Sequence, residues 1–335
     1  MSRFYLKAKQ YFTPALWLSL FFLAGQMMIY QFFDLSLNSV YQVKALPMLL
    51  AMLLVFWCAA FFYQLLFTIK QWRTVSQPLI ASFKLTGDYC LKVLPFLIFL
   101  YIYDSIHDIT HLINANELDV WLIKIDRWLL LGNDIALLFE KIITPELTAW
   151  FAWAYLLYFV FYLVDPIVFY FLKQGRYFTH VLTAVMLTNF IGLAGYIAVP
   201  CVGPVLSQRS LFSRELVLPS GELYQNSDNL AVAYVYSRGA FHCFPSLHFG
   251  TSVVWLYFAW RFLRREKYYK ILYYLHWPAV ISLWLATLYL RWHYVVDWLG
   301  GLIVALLGIW LTKRLLNWQS RRAKARGALI DRDNS

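Results

Sequence analysis

Uninterrupted apolar runs of about 20 residues recur along this chain, and a run of that length crosses about 30 Å of hydrocarbon as a helix. A soluble core could hide as much apolar surface only if polar stretches alternated with it, which they do not. The composition agrees, with 61% of the 335 residues hydrophobic and 14% charged, far from the roughly half apolar and quarter charged balance of soluble domains. The net charge of +11 would raise nucleic acid as a partner in a soluble protein. Here the basic residues gather in short segments between apolar runs and in the tail, so anionic lipid headgroups are the expected counter-charge and no nucleic acid is expected.

The runs predict eight spans, near 14–33, 46–68, 92–112, 148–171, 178–199, 247–263, 271–290 and 297–313. Without water to satisfy backbone groups, runs this long must be helices. The expected fold is therefore an all-α polytopic bundle. The first run follows Arg3, Lys7 and Lys9 but has no small-residue cleavage site behind it, and it reads as a retained anchor. With the N-terminus inside, the even-numbered loops and the tail hold most of the 29 basic residues, which places both termini in the cytoplasm by the positive-inside rule. The expected organisation is accessory helices over 1–112, an extracytoplasmic interfacial segment over 113–147, a catalytic core over 148–316 and a basic cytoplasmic tail over 317–335.

Two outer segments are too long to be simple turns. In the first, Val120-Trp121-Leu122-Ile123-Lys124-Ile125-Asp126-Arg127-Trp128-Leu129-Leu130 mixes apolar and charged residues as interfacial helices do. The second, about 200–246, opens on Pro200-Cys201-Val202-Gly203-Pro204 and reads as irregular chain. Cys201 and Cys243 bracket it, and a disulfide and two free thiols are equally open readings. Asp104, His107, Asp108 and His111 fall on one helical side near the end of the third span. That spacing suits a metal, but with the helix emerging on the same face as the residues below, a hydrogen-bonding wall for a polyhydroxy headgroup, carried by Asp104 and Asp108, is preferred.

Three polar residues sit at outer span ends, with His248 entering the sixth span and His293 and Asp297 entering the eighth. Ionisable groups at membrane depth are costly and need a partner or a function. His293 and Asp297 are four apart, so on a helix the carboxylate can accept a hydrogen bond from one imidazole nitrogen and leave the other as a nucleophile. Taken alone, either a water-satisfied histidine or a helix-end pair explains these residues as well. The neighbours decide more, namely Phe244-Pro245-Ser246-Leu247-His248-Phe249-Gly250 and Leu290-Arg291-Trp292-His293-Tyr294-Val295-Val296-Asp297-Trp298-Leu299-Gly300-Gly301.

These segments resemble the second and third signature motifs of the type 2 phosphatidic acid phosphatase superfamily, and most closely its inositol phosphorylceramide synthase branch, over about 178–305. The resemblance implies a metal-independent reaction without a cofactor, in which His293 attacks phosphorus, Asp297 orients it, and His248 protonates the leaving oxygen and then deprotonates the acceptor. Ser246 would hydrogen-bond a phosphate oxygen by the same analogy. The wider family's first motif, a Lys and an Arg-Pro pair, has no counterpart before Pro245, and Thr287 stands where the third motif has an Arg. Phosphoryl charge still needs fixed donors, and Arg291, Arg209 and Arg238 are the candidates. The expected substrate is a phospholipid or other lipid phosphate, the expected setting a multi-pass membrane protein with its active site outside the cytoplasm, favouring a bacterial inner membrane over a eukaryotic secretory one. Water as acceptor would make the same apparatus a phosphatase. A carrier or scramblase that only binds headgroups is the competing reading from another class.

Overall fold

The computed structural model describes residues 13–32, 78–106, 110–172, 177–226 and 242–333, with isolated positions between 54 and 62. Its elements are helical. α1 (Pro14–Phe32), α2 (Pro78–Ile106), α3 (Thr110–Ile113), α4 (Asp119–Leu129), α5 (Ile135–Glu140), α6 (Pro145–Phe171), α7 (Phe178–Ala198), α8 (Pro204–Ser207), α9 (Leu247–Phe262), α10 (Lys270–Tyr289) and α11 (Val295–Asp333) follow in chain order. Among the described residues the extended structure amounts to an isolated bridge between Val217 and Leu223.

Six of these helices, α1, α2, α6, α7, α10 and α11, are long and apolar enough to cross a membrane, which makes this an integral membrane protein. The expected sixth span is α9, a 16-residue helix that rises about 24 Å and needs its following 3-10 turn to approach the hydrocarbon thickness. The expected second span, 46–68, lies outside the described residues apart from isolated positions. The third begins earlier than expected, at Thr86 rather than residue 92, within a helix that starts at Pro78. Asp88 and Lys92, whose charges mark a boundary in the sequence, pair at i,i+4 across 2.8 Å, and Tyr170 donates a hydrogen bond to the same carboxylate. A neutralised pair is far cheaper inside an apolar helix than two lone charges.

The chain divides into two compact units, residues 1–113 with 158–179, and residues 114–157 with 180–335. In the first, α1 packs on α2. The buried Ser19 hydroxyl contacts the carbonyl oxygens of Ala15 and Pro95 at 2.9 and 2.7 Å, and Phe96 stacks on Tyr162 at 5.5 Å between centroids.

In the second unit α9 lies against α10 and α11. Gly250 and Gly301 let α9 and α11 touch backbone to backbone, since a Cβ on Gly250 would come within 2.7 Å of the Gly301 carbonyl oxygen and one on Gly301 within 2.5 Å of the Ser246 carbonyl oxygen. Either side chain would push the helices apart. Phe249 is stacked between Trp284 at 4.3 Å and Trp298 at 5.1 Å, tying the start of α9 to both neighbours with about 0.5–1.5 kcal/mol per aromatic pair beyond simple burial.

The segment expected to be interfacial carries an inverted helix. At 100° per residue Trp121 and Trp128 fall on the side of α4 opposite Asp119 and Asp126. It is the tryptophans that are outward, 63% and 78% exposed, while Asp119 and Asp126 are each 4% exposed. α4 thus turns its acids into the protein and its large apolar rings away from it.

Candidate active site

His248 occupies the first turn of α9, whose N-cap is Ser246. The Ser246 hydroxyl accepts from the Phe249 N–H at 3.3 Å, the bond that makes serine a favoured helix start. His293 lies in the turn between α10 and α11, and Asp297 in the first turn of α11. The structure brings the two histidines together beside one carboxylate. His293 Nδ1 is 3.1 Å from Asp297 Oδ2, and His293 Nε2 is 3.4 Å from His248 Nδ1. A carboxylate is an acceptor, so Nδ1 carries the proton and Nε2 presents its lone pair toward His248. The ring of Tyr155 lies 4.5 Å from that of His248 and walls it on the α6 side.

Asp297 Oδ2 also accepts from the Tyr294 N–H at 2.8 Å and from the Cys243 thiol at 2.9 Å. Burial pushes the thiols of both Cys243 and Cys201 above their ordinary range, which keeps Cys243 protonated and able to donate. Both cysteines are free thiols, with Cys201 Sγ accepting from the Phe244 N–H at 3.0 Å. Cys243, His293 and Asp297 offer ligand atoms within 4.8 Å of one another and could hold a metal ion. As they stand those atoms already bond to one another, and a cation there would have to displace the thiol and imidazole protons.

Arg291 is buried, and its guanidinium bonds Glu140 at 3.1 Å and the Arg214 carbonyl at 2.6 Å while lying 3.8 Å over the Phe212 ring. Its φ of 67° is the left-handed conformation that ends a helix. The Trp292 N–H reaches back to the Thr287 carbonyl at 3.0 Å, closing α10 in the way glycine usually does. An arginine there costs about 1–2 kcal/mol in backbone energy, and the bonds to Glu140 and Arg214 hold it. Arg291 therefore anchors the turn that presents His293. Arg209 is exposed in a 3-10 turn. Arg238 and Asp108 lie outside the described residues, and of Asp104 only the helical backbone is described. Thr287, standing where the third motif has an arginine, accepts from the Trp298 indole at 3.0 Å.

Sequence reasoning missed the second tier of this site. Asp126 Oδ2 and Oδ1 accept from the N–H groups of Val295 and Val296 at 3.1 and 2.7 Å, capping α11 from another helix. Asp119 accepts from Val202 N–H at 2.9 Å, Gly203 N–H at 3.0 Å and the Tyr294 hydroxyl at 2.8 Å. The proline-rich segment expected to be irregular thus packs on the turn that carries His293, where the Val205 N–H also meets the Arg291 carbonyl at 2.8 Å. The signal was present, two acids seven residues apart on one side of a helix with two tryptophans seven apart on the other.

Comparison with curated proteins and with solved structures returned no match. The family model described as PAP2 superfamily matches residues 120–311, a stretch that begins at α4 and takes in both histidines and Asp297. Matching more than half of the chain, and taking in a buried histidine–carboxylate pair faced by a second histidine, it shows that this protein belongs to the PAP2 superfamily, whose phosphatase and phosphotransferase chemistry it shares at that general level.

Proposed function

We propose that this protein transfers a phosphate-containing headgroup between a lipid and an alcohol acceptor, in the manner of inositol phosphorylceramide synthases, through a phosphohistidine on His293. The observation that carries the reading is the chain of contacts from Asp297 through His293 to His248. With Nδ1–H held by Asp297, the Nε2 lone pair of His293 attacks phosphorus while the bond from phosphorus to the lipid oxygen breaks and protonated His248 gives that oxygen its proton. An acceptor hydroxyl then loses its proton to His248 and attacks phosphorus, the N–P bond breaks, and its electron pair returns to Nε2. Histidine suits both steps because its proton affinity lies near neutral pH. The imidazole-to-imidazole contact is the one an entering phosphoryl group would replace.

Phosphate charge is met by the two imidazoles and by the N-terminus of α9, whose first N–H groups lack intrahelical acceptors. Ser246 is positioned at that terminus, and Arg209 and Arg238 remain proposed contributors. The site faces the non-cytoplasmic side, with the Trp121 and Trp128 face of α4 seated among lipid headgroups, where tryptophan concentrates in membrane proteins. Donor tails enter sideways from the bilayer.

Transferase and phosphatase differ in the acceptor. Protein in nanodiscs supplied with a lipid phosphate donor is expected to release little free phosphate and more headgroup-transfer product when inositol-type polyols or ceramide are added, and vanadate, a mimic of five-coordinate phosphorus, is expected to inhibit. Phosphate release indifferent to every acceptor would make it a phosphatase. Lipid movement that survives His293→Ala, with no turnover in the wild type, would make it a carrier.

A further inference from the structure

The geometry points to Asp119 and Asp126 of α4 as positioning residues that hold the catalytic turn in register, an inference that rests on His293 and Asp297 acting as proposed above. Between the end of α10 and the first turn of α11 the chain must place one imidazole against both a carboxylate and a second imidazole, on a segment that passes from irregular chain at His293 and Tyr294 into helix at Val295. α4 grips that segment at three successive residues. The Tyr294 hydroxyl donates to Asp119 Oδ1, and the N–H groups of Val295 and Val296 donate one to each oxygen of Asp126. The same Asp119 holds the N–H groups of Val202 and Gly203, so the turn and the proline-rich segment share one anchor. Cα to Cα, the grip spans the residues immediately between His293 and Asp297, where a slip of a few tenths of an ångström changes their hydrogen bond.

Two carboxylates with 4% exposure are an expensive way to end a helix. Desolvating each costs several kcal/mol, and a serine or asparagine within α11 itself would cap it more cheaply. What the carboxylates supply instead is bidentate, charge-assisted binding of backbone donors from a separate helix whose opposite face carries Trp121 and Trp128. A cap from outside fixes where α11 starts relative to α4, which a cap from within cannot do.

The experiment uses the full-length protein in nanodiscs and measures kcat and KM on a lipid phosphate together with amide hydrogen exchange over the His293–Asp297 segment. The variants are Asp126→Asn, Asp119→Asn and Asp126→Glu, with exposed Glu146→Gln as control. Asp126→Asn keeps the shape but turns one acceptor into a donor facing an N–H. It is expected to lower kcat about 10- to 100-fold, the size set by losing hydrogen bonds to a charged group, with KM changed less than about twofold. Exchange at Val295 and Val296 is expected to quicken at least about tenfold by the same loss, with the remaining helices unchanged. Asp126→Glu is expected to recover part of both, and Asp119→Asn to act in the same direction with its exchange effect extending to Val202 and Gly203. Unchanged kcat and exchange would overturn the inference, as would exchange quickened throughout the bundle, which marks a role in the fold alone. Wild-type protein without turnover, or His293→Ala as active as wild type, would defeat the catalytic reading instead; the exchange arm then still decides the clamp, because unchanged protection at Val295 and Val296 overturns it by itself.

Discussion

Two groups of polar residues inside apolar helices contrast in how they are satisfied. Around Asp88 the carboxylate has a fixed cation, Lys92, one helical turn away and a tyrosine hydroxyl from Tyr170. Around Asp297 the carboxylate is fully buried and has a titratable imidazole, a thiol and a backbone N–H. A permanently charged partner makes a carboxylate inert. An imidazole whose second nitrogen faces another imidazole makes it, on the proposed function, one end of a proton path. The contrast teaches that the kind of partner, more than the depth of burial, separates polar groups that let a helix cross a membrane from the polar groups proposed to do chemistry.

The largest effect that would test this contrast is on turnover. His293→Ala is expected to lower kcat by at least about 10⁴-fold, the scale seen when a nucleophile is removed. Asp297→Asn, which lets the wrong nitrogen of His293 carry the proton, is expected to lose about 10²- to 10⁴-fold. Lys92→Met and Asp88→Asn are expected to leave kcat within about twofold but to lower stability, by up to about 3 kcal/mol where the remaining charge is left inside the apolar span without its partner. Steady-state kinetics and thermal unfolding of the four variants make the comparison. Loss of activity in the Asp88 variants with retention in Asp297→Asn would break it.

A smaller effect sharpens it. Cys243→Ala removes one donor from Asp297 and is expected to lower kcat about 5- to 10-fold, near the value of one ordinary hydrogen bond, whereas Cys243→Ser keeps a donor and should stay closer to wild type. Equal rates for the two would show that the thiol contributes volume and not its proton. In the wild-type protein, alkylation with mass measurement is expected to find the buried Cys201 and Cys243 thiols modified only on unfolding.

Smaller still is a stability difference at Arg291. Arg291→Gly and Arg291→Ala both lose the bonds to Glu140 and Arg214, but glycine accepts a φ of 67° without strain. The glycine variant is expected to be more stable than the alanine variant by about 1 kcal/mol, read as the difference between their unfolding midpoints. Equal midpoints would mean the left-handed backbone carries no cost here.

The pH dependence of stability has a sign of its own. Burial raises the Asp126 carboxyl from its ordinary 3.8 to about 6, with Asp297 and Asp134 as the like charges around it. Its ionisation is harder in the folded protein than in the unfolded chain, so the stability this group contributes is present below about pH 4 and is lost as pH rises through about 6. Wild type should therefore lose more thermal stability than Asp126→Asn between pH 5 and pH 8. The bidentate grip needs the ionised form, so activity should fall in the opposite direction, as pH drops through that window.

Much of the fold was legible because span length is set by the bilayer and not by packing. Reading stopped where charges compensate one another in three dimensions. Asp88 and Lys92 look like a span boundary in the sequence and sit inside a helix in the fold. The proposed catalytic trio was legible because His293 and Asp297 lie four residues apart, and because the residues flanking them and His248 resemble two known motifs. Arg291 looked like a phosphate ligand by its place beside His293, yet its side chain turns to Glu140 on α5, a contact 151 residues distant in sequence. Asp119 and Asp126 were passed over because an amphipathic segment with tryptophans is read outward, toward lipid, and its inward face has no meaning until the catalytic turn is seen resting on it.

The central claim is that His293 accepts the phosphoryl group, and trapping it is the most direct measurement. Protein in nanodiscs is mixed with a lipid phosphate donor, quenched in alkali to preserve N–P bonds, digested and analysed by mass spectrometry. The account predicts the phosphate-linked headgroup of the donor, or phosphate alone where the donor is a phosphomonoester, on the peptide carrying His293, absent in His293→Ala and retained in protein whose acceptor is withheld. Phosphate on His248, or turnover with no phosphorylated histidine at any time after mixing, would contradict it.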